Sequence, residues 1–301
     1  MNRISMNRLS KTRLSKTRPV MLVALAFGVL LSSCSMFDHK AEPPRDPLEI
    51  RLYVFNCGEI RLEDVSGFGL SNNETPVRVL AVPCYLVDHP LGQLMWDGGL
   101  PTDIAGKGEM EAAPGMRMQY DRSVLAQMKD INIHPDEVEY IAFSHMHFDH
   151  VGAANAFTSS TLLIQQPEYQ AAFTHGNDST IFNPDDYQEL FDNPRIVLNG
   201  DHDVFGDGRV KIISAPGHTP GHQILFLDLS ETGPIVLSGD LYHFRESIPL
   251  RRTPEFNTSR AQTLNSMNRI SAVLAEKRAT LWIQHEKAFA DTLTLSPEYY
   301  R

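Results

Sequence analysis

The stretch that decides the fold is Ser144-His145-Met146-His147-Phe148-Asp149-His150, which directly follows the apolar run Ile141-Ala142-Phe143. Alternate residues of an extended chain point the same way, so His145 and His147 can bind one metal ion from the same side. Asp149 and His150 come after the strand end, where the loop can turn toward a second ion. The spacing therefore predicts a site for two metal ions at the end of this strand.

Three further predicted strands end in residues of the same chemical type. They are followed by Pro216-Gly217-His218, by Ser238-Gly239-Asp240 and by Gln284-His285. Imidazole and carboxylate ligands without a thiolate suit zinc, although iron, manganese or cobalt can bind the same set. His222 stands at the beginning of the next strand, and we predict that it supports the site rather than binding metal.

Strands and helices alternate along the body of the chain. Short runs rich in Val, Leu and aromatic residues predict strands at 48–60, 77–89, 92–97, 139–143, 161–165, 195–198, 210–214, 224–229, 235–238 and 281–284. Helical spacing predicts helices at 121–131, 167–173 and 260–277. Several strands are apolar on both faces, as in sheets that are covered on both sides. We therefore predict an α/β fold, a four-layer αββα sandwich.

With these motifs, residues 48–290 resemble the metallo-β-lactamase superfamily. The resemblance implies that His145, His147 and His218 bind a first divalent metal ion, that Asp149, His150 and His285 bind a second, and that Asp240 bridges the two. Asp97-Gly98-Gly99 is similar to an early turn of the superfamily. Its Asp is implied to orient a ligand histidine from behind.

Within the superfamily the chain most resembles the N-acyl-homoserine lactonases. The resemblance is carried by Ser144–His150, by Pro216-Gly-His-Thr-Pro-Gly-His222 and by Ser238-Gly-Asp-Leu-Tyr-His243. It implies hydrolysis of a lactone ring by a metal-bridging hydroxide, with Asp149 available to carry a proton to the leaving group. Known members place a Tyr three residues after the bridging Asp. This chain has His243 there and Tyr242 one residue earlier, and either could stabilise the oxyanion.

An acyl chain would need an apolar groove. We predict that Met110, Met116, Met118, Phe244 and Phe256 line it from irregular segments.

Three other functions compete with the lactonase interpretation. A periplasmic metallo-β-lactamase would share the six-residue motif, but those enzymes do not use the bridging Asp as a ligand, whereas Asp240 is present here. A glyoxalase II-like thioesterase would share Asp240, but its C-terminal helices would have to fit into the few residues after His285. The non-enzymatic alternative is a surface lipoprotein that binds a metal or a signal molecule.

The N-terminus predicts export. Residues 1–33 carry six Lys or Arg and no acidic residue, and they include the apolar run 20–31, which is too short to span a bilayer as a helix. Leu31-Ser32-Ser33-Cys34 resembles a bacterial lipobox, which implies a lipid anchor at Cys34 and an outer-membrane lipoprotein that faces the periplasm or the surface. An ordinary signal peptide would instead leave a soluble periplasmic protein. We predict a signal peptide over 1–33, a tether over 34–47 and the hydrolase domain over 48–301.

Charge and cysteine content complete the predictions. The formal net charge of −10 argues against nucleic acid as a partner, which leaves a small-molecule lactone or ester. Cys57 and Cys84 lie in predicted neighbouring strands and can be either disulfide-bonded or free. The family often dimerises, so a homodimer is an expectation that rests on the resemblance alone.

Overall fold

Within residues 47–174 and 182–301, which the computed structural model describes, thirteen strands form two sheets. The signal peptide, the lipidation at Cys34 and almost all of the tether were predicted for residues outside the described ranges. The strands of the first sheet are β1 Arg51–Leu62, β2 Val79–His89, β3 Gly92–Trp96, β4 Met110–Ala113, β5 Met116–Gln119, β6 Tyr140–Ala142, β7 Thr161–Gln165 and β8 Arg195–Leu198. Their order is β4-β5-β1-β2-β3-β6-β7-β8. The strands β3, β6, β7 and β8 run parallel.

The second sheet is smaller. It contains β9 His202–Asp203, β10 Val210–Ser214, β11 Gln223–Leu229, β12 Gly233–Leu237 and β13 Thr280–Trp282, in the order β13-β12-β11-β10-β9. The α-helices are α1 Val124–Asp130, α2 Phe148–Val151, α3 Gln166–Tyr169, α4 Ser247–Leu250, α5 Arg260–Lys277 and α6 Lys287–Ala290.

The alternation of side chains along the strands separates three apolar cores. In β1, Leu52 and Val54 pack into the core between the sheets, whereas Phe55 packs into the outer core that includes residues of α1. In β11, Leu225 faces the core between the sheets and Phe226 faces the core formed with α5. Successive side chains of a strand point to opposite faces, so each sheet is covered on both sides. The predicted αββα sandwich is confirmed.

The hairpin of β4 and β5 was not predicted. Met110, Met116 and Met118 were assigned to irregular segments, but they lie in these two strands. β5 pairs with the end of β1, from Glu59 to Leu62. Strand formation depends on such cross-strand contacts more than on intrinsic propensity, so weakly apolar segments are easily missed.

Two further features bear on the predictions. Cys57 and Cys84 form a disulfide that joins β1 and β2. No helix within the described ranges combines the length and the apolar character that a membrane span requires.

Candidate metal centre

The predicted ligands come from four strand ends. His145 and His147 follow β6, and α2 begins directly afterwards with Asp149 and His150 in its only full turn. His218 lies in the loop between β10 and β11, Asp240 follows β12, and His285 follows β13. The ligand atoms of these residues lie close together in groups, so the four strand ends meet at one edge of the sandwich.

The first group is formed by three histidines and one carboxylate. The Nε2 atom of His218 lies 3.1 Å from Nε2 of His145 and 3.2 Å from Nδ1 of His147. The Oδ2 atom of Asp240 lies 3.2 Å from Nε2 of His218 and 3.8 Å from Nε2 of His145. A tetrahedral zinc site with bonds of about 2.0–2.1 Å has neighbouring ligand atoms about 3.3 Å apart. These four side chains therefore have the spacing of one metal site.

The second group contains Asp149, His150 and His285. Oδ2 of Asp149 lies 3.8 Å from Nε2 of His150 and 3.7 Å from Nε2 of His285. The other oxygen of Asp240, Oδ1, lies 3.2 Å from His150 and 2.9 Å from His285. The two oxygens of Asp240 thus face different groups, which is the arrangement expected of a bridging carboxylate.

The contacts within the groups fit cations better than hydrogen bonds. The two Nε2 atoms of His145 and His218 face each other at 3.1 Å in a buried position. Nε2 of His150 and Oδ1 of Asp240 are buried and close, yet neither has an aligned hydrogen bond. Lone pairs that point at a common centre produce this pattern, so the residues fit two divalent metal ions.

The electrostatics of the site also favours bound metal ions. Burial lowers the pKa of His147 to about 4 and takes the pKa of His145 and His218 well below its ordinary value. Neutral imidazole is the form that binds metal. Burial alone would also lower the pKa of His150, but nearby carboxylates, Asp240 first among them, raise it well above its ordinary value. The carboxylates therefore favour positive charge here, which a divalent cation supplies.

In two of the ligand histidines, the ring nitrogen that points away from the metal site has a hydrogen-bond acceptor that the sequence did not predict. Nδ1 of His218 lies 2.9 Å from Oδ1 of Asn257, and Nδ1 of His285 lies 2.7 Å from the carbonyl oxygen of Ala81. Such acceptors fix the tautomer and the ring orientation and leave the Nε2 lone pair for metal. No sequence motif marked Asn257 or Ala81, because they are distant from the ligands along the chain.

Asp97 lies behind His150, which is one of the predicted ligand histidines. Its Oδ2 atom is 3.1 Å from Nδ1 of His150, and its Oδ1 atom accepts the backbone N–H of Ser144 at 2.6 Å. The Ser144 hydroxyl contacts the Nδ1 atoms of both His145 and His150, at 3.1 and 3.0 Å. Asp97 and Ser144 together orient one histidine from each group.

His222 uses both ring nitrogens within the protein. Nδ1 donates to the carbonyl oxygen of Ala215 at 3.0 Å, and Nε2 accepts the backbone N–H of Asp240 at 2.9 Å. His222 therefore holds the bridging residue by its backbone and has no lone pair left for a metal ion.

The side chains of Tyr242 and His243 lie in different parts of the structure. Tyr242 is part of the apolar core formed with α5. Nε2 of His243 lies 2.9 Å from Oδ2 of Asp240. The backbone at Tyr242 is extended, so the two side chains point in opposite directions. Of the two candidates, His243 is the one whose side chain reaches Asp240, whereas Tyr242 lies in the core away from the metal ligands.

An apolar cavity of about 270 Å³ adjoins both groups. Its apolar lining includes Leu62, Phe68, Leu80, Met116, Phe148 and Phe256, and its polar lining includes Asp149, Asp240 and His243. Met116 and Phe256 line the cavity, as predicted for the groove. Phe244 instead lies in the core, Met118 packs against that core, and Met110 is exposed at the surface.

Known proteins are similar to this chain in sequence and in fold. The N-acyl homoserine lactonase AttM of Azorhizobium caulinodans is 28% identical over 265 residues, which cover 84% of this chain and 99% of that protein. The N-acyl homoserine lactonase AiiA of Bacillus thuringiensis subsp. kurstaki is 25% identical over 260 residues, which cover 83% of this chain and 98% of that protein. A crystal structure described as a quorum-quenching N-acyl homoserine lactone hydrolase is similar with a TM-score of 0.70 and 26% identity, covering 83% of this chain and 97% of that one.

The family itself is shown by a match that spans most of the described residues. Residues 77–280 match the profile of the metallo-beta-lactamase superfamily, which confirms the superfamily predicted from the histidine motif. The chain belongs to the metallo-beta-lactamase superfamily.

Proposed function

We propose that the protein hydrolyses the lactone ring of N-acyl homoserine lactones at a centre of two divalent metal ions, for which zinc suits the ligand set. One observation carries the proposal. Seven His and Asp side chains form two groups that share Asp240, directly beside an apolar cavity. The named relatives, which are N-acyl homoserine lactonases, support the choice of substrate.

The first group would hold one ion through His145, His147 and His218, the second group would hold the other, and Asp240 would contact both. When bound, such a pair of ions supplies Lewis acidity toward a carbonyl group and lowers the pKa of water toward neutrality. The protein contributes the orientation of the substrate and the transfer of protons.

The cavity suits the acyl chain of such a substrate. Its apolar side chains are contributed by β1, β2 and β5, by Phe148 at the beginning of α2, and by Phe68 and Phe256. Burial of one methylene group stabilises binding by about 0.8 kcal/mol, which is about a fourfold change in kcat/KM. We expect kcat/KM to rise by about this factor with each added methylene until the cavity is full. A flat chain-length profile would contradict this placement.

Two side chains have roles near the reacting ester. The Asp149 carboxylate lines the cavity, so it can hold a proton and deliver it to the oxygen that leaves when the ring opens. Nε2 of His243 lies 2.9 Å from Oδ2 of Asp240, so a protonated Nε2 can donate to this carboxylate, and Nδ1 is buried without a hydrogen-bond partner. We infer that His243 holds the carboxylate shared by the two groups and presents its ring edge to the substrate.

The substrate is tested by measuring proton release from N-acyl homoserine lactones of increasing chain length, beside assays with nitrocefin and a thioester. Rapid lactone hydrolysis with about two metal ions per chain is the expected result. Nitrocefin or thioester turnover without lactone turnover would refute the lactonase proposal. A full metal content without hydrolysis of any of these compounds would instead indicate a binding protein.

The role of His243 is tested by paired variants. His243→Phe removes a hydrogen bond to a charged group, worth about 1.5–3 kcal/mol, so kcat/KM should fall by at least about tenfold. Tyr242→Phe removes a hydroxyl group on the opposite side of the chain and serves as the control, with an expected change below about threefold. Equal losses in both variants would refute the assignment.

The location of the protein in the cell is a separate proposal. We propose that residues 1–33 direct export and that Cys34 receives a lipid anchor, on the support of the basic start and the Leu-Ser-Ser-Cys sequence. Processing that stops in the presence of globomycin is expected. Release of a soluble periplasmic protein by the Cys34→Ser variant and the wild type alike would refute the anchor.

A further inference from the structure

A buried carboxylate that no motif marked lies behind the first group of ligands. Glu168, in the first turn of α3, is 2% exposed. One of its oxygens accepts the backbone N–H of Met146 at 3.0 Å, and the other accepts the backbone N–H of Gly221 at 2.8 Å. One side chain thus joins two segments that are 75 residues apart in the chain.

Both segments carry ligands of the first group. Met146 stands between His145 and His147, and Gly221 is three residues after His218. We propose that Glu168 is a positioning residue for the first metal ion, because its carboxylate holds together the two loops whose three imidazoles must converge. The pairwise distances of 3.1 and 3.2 Å between their nitrogens depend on the relative position of these loops.

Stability alone does not explain a carboxylate at this position. No Lys, Arg or His within the described ranges forms an ion pair with Glu168. Burial raises the pKa of its carboxyl group, although the Thr219 side chain and the two backbone N–H donors lower it. A buried charge without a cation beside it costs free energy, and the raised pKa shows that the hydrogen-bond donors offset only part of that cost.

The fold also has other connections between the same segments. The backbone N–H of Gln223 donates to the carbonyl oxygen of Ser144 at 2.8 Å, and its side chain donates to the carbonyl oxygen of Phe143 at 2.9 Å. The bonds of Gln223 lie where the two loops adjoin β6 and β11. Glu168 adds a connection within the loops, at Met146 and Gly221.

The contact between Glu168 and Gly221 is close. A Cβ atom at position 221 would lie 2.5 Å from the backbone nitrogen of Glu168 and 2.6 Å from its Cβ atom. The loop can approach α3 this closely only with glycine at 221, so the chain is shaped for this contact on both sides.

The test uses Glu168→Gln in the full chain. Glutamine has the same size but only one acceptor oxygen, and its amide group would face one of the two backbone N–H donors, so one connection is lost. Loss of a group that orients metal ligands typically weakens metal binding by about 10–100-fold. We expect the dissociation constant of one zinc ion to rise by about that factor, measured by competition with a chromophoric chelator, and that of the other to change by less than about threefold.

The matched control is Asn193→Ala. Asn193 is also buried, and its amide group donates to the carbonyl oxygens of Phe157 and Ser160, which are not part of the metal centre. This variant should lower the melting temperature and leave both zinc constants unchanged. If Glu168→Gln lowers the melting temperature without weakening zinc binding, or if both variants weaken it equally, the proposal is wrong.

Hydrogen exchange provides a second measurement that needs no variant. In the wild-type chain after treatment with a chelator, the amides of Met146 and Gly221 should exchange slowly, because both donate to the buried carboxylate. Slow exchange supports the proposal even if Glu168→Gln fails to fold. Exchange as fast as that of surface loops in an otherwise folded protein would overturn it.

Discussion

Replacing Asp97 by Asn tests how strongly the hydrogen bonds behind the ligands determine metal binding. Asp97 has a φ of 59°, a left-handed conformation that Asn tolerates well, so the backbone should be preserved. Its Oδ2 atom accepts from Nδ1 of His150 at 3.1 Å and from Nε2 of Gln284 at 3.3 Å, and Oδ1 accepts the N–H of Ser144 at 2.6 Å. An Asn side chain that keeps its oxygen toward His150 must turn its amide group toward that N–H.

The expected losses of stability and of zinc affinity follow from these hydrogen bonds. One hydrogen bond to a charged acceptor is worth about 1.5–3 kcal/mol, and a buried N–H without a partner costs about 1–3 kcal/mol. We expect Asp97→Asn to lower the free energy of unfolding by about 3 kcal/mol and to weaken zinc binding about 10–100-fold. The measurements are urea unfolding and zinc competition with a chromophoric chelator.

The control is Asp88→Asn, the same change on β2 where the carboxylate contacts Gln93 near the hairpin turn. It should leave zinc binding unchanged. If Asp97→Asn binds zinc within about threefold of the wild type, the hydrogen bonds behind His150 do not govern metal binding, and the reasoning is refuted.

Two further variants test packing and charge. In Gly152→Ala, the new Cβ would lie 2.1 Å from the carbonyl carbon of Leu100, so α2 must shift and zinc binding should weaken by at least about tenfold. The control is Gly67→Ala, whose new Cβ meets nothing within 4 Å. Equal zinc dissociation constants in the two variants would contradict the expectation. Burial alone would raise the pKa of Asp207, but hydrogen bonds, chiefly from Arg209, bring it from 3.8 to about 2. Because the folded pKa is the lower one, this stabilisation is present above pH 3.8 and is lost as the pH falls toward 2. At pH 7, Asp207→Asn should therefore lower the free energy of unfolding by about 1 kcal/mol, after allowance for solvent screening, and this loss should disappear as the pH falls below about 2. A loss that urea unfolding finds independent of pH would refute this.

The strands and helices with strong local patterns were predicted well. The strands at 161–165, 195–198 and 210–214 and the helix at 260–277 have the bounds that the apolar patterns predicted. The second predicted helix was less accurate, because the chain passes from α3 into a π-helical segment at Gln170–Thr174. Local patterns report which face of a segment is apolar, but they do not report how a helix ends against its neighbours.

The choice between Tyr242 and His243 shows where sequence reasoning stops. Both residues follow Asp240 closely and both could donate a hydrogen bond. The short 3-10 helix at Gly239–Leu241 decides which of the two side chains faces the metal centre. Its geometry depends on packing against α5 and on the hydrogen bond that the backbone N–H of Asp240 donates to His222. In the same way, the sequence could not show whether Cys57 and Cys84 form a disulfide.

By itself, the sequence determined which residues have ligand chemistry and in which order they come. The histidine motif and the three later strand ends are local features, because ligand type and spacing along a strand can be read without knowing the fold. Only the tertiary structure decided that these strand ends meet, that Asp240 faces both groups, and that Asn257, Ala81 and Glu168 support the ligands from behind. Those contacts join residues far apart in the chain, and they exist only because the packing of the two sheets brings four strand ends to one edge.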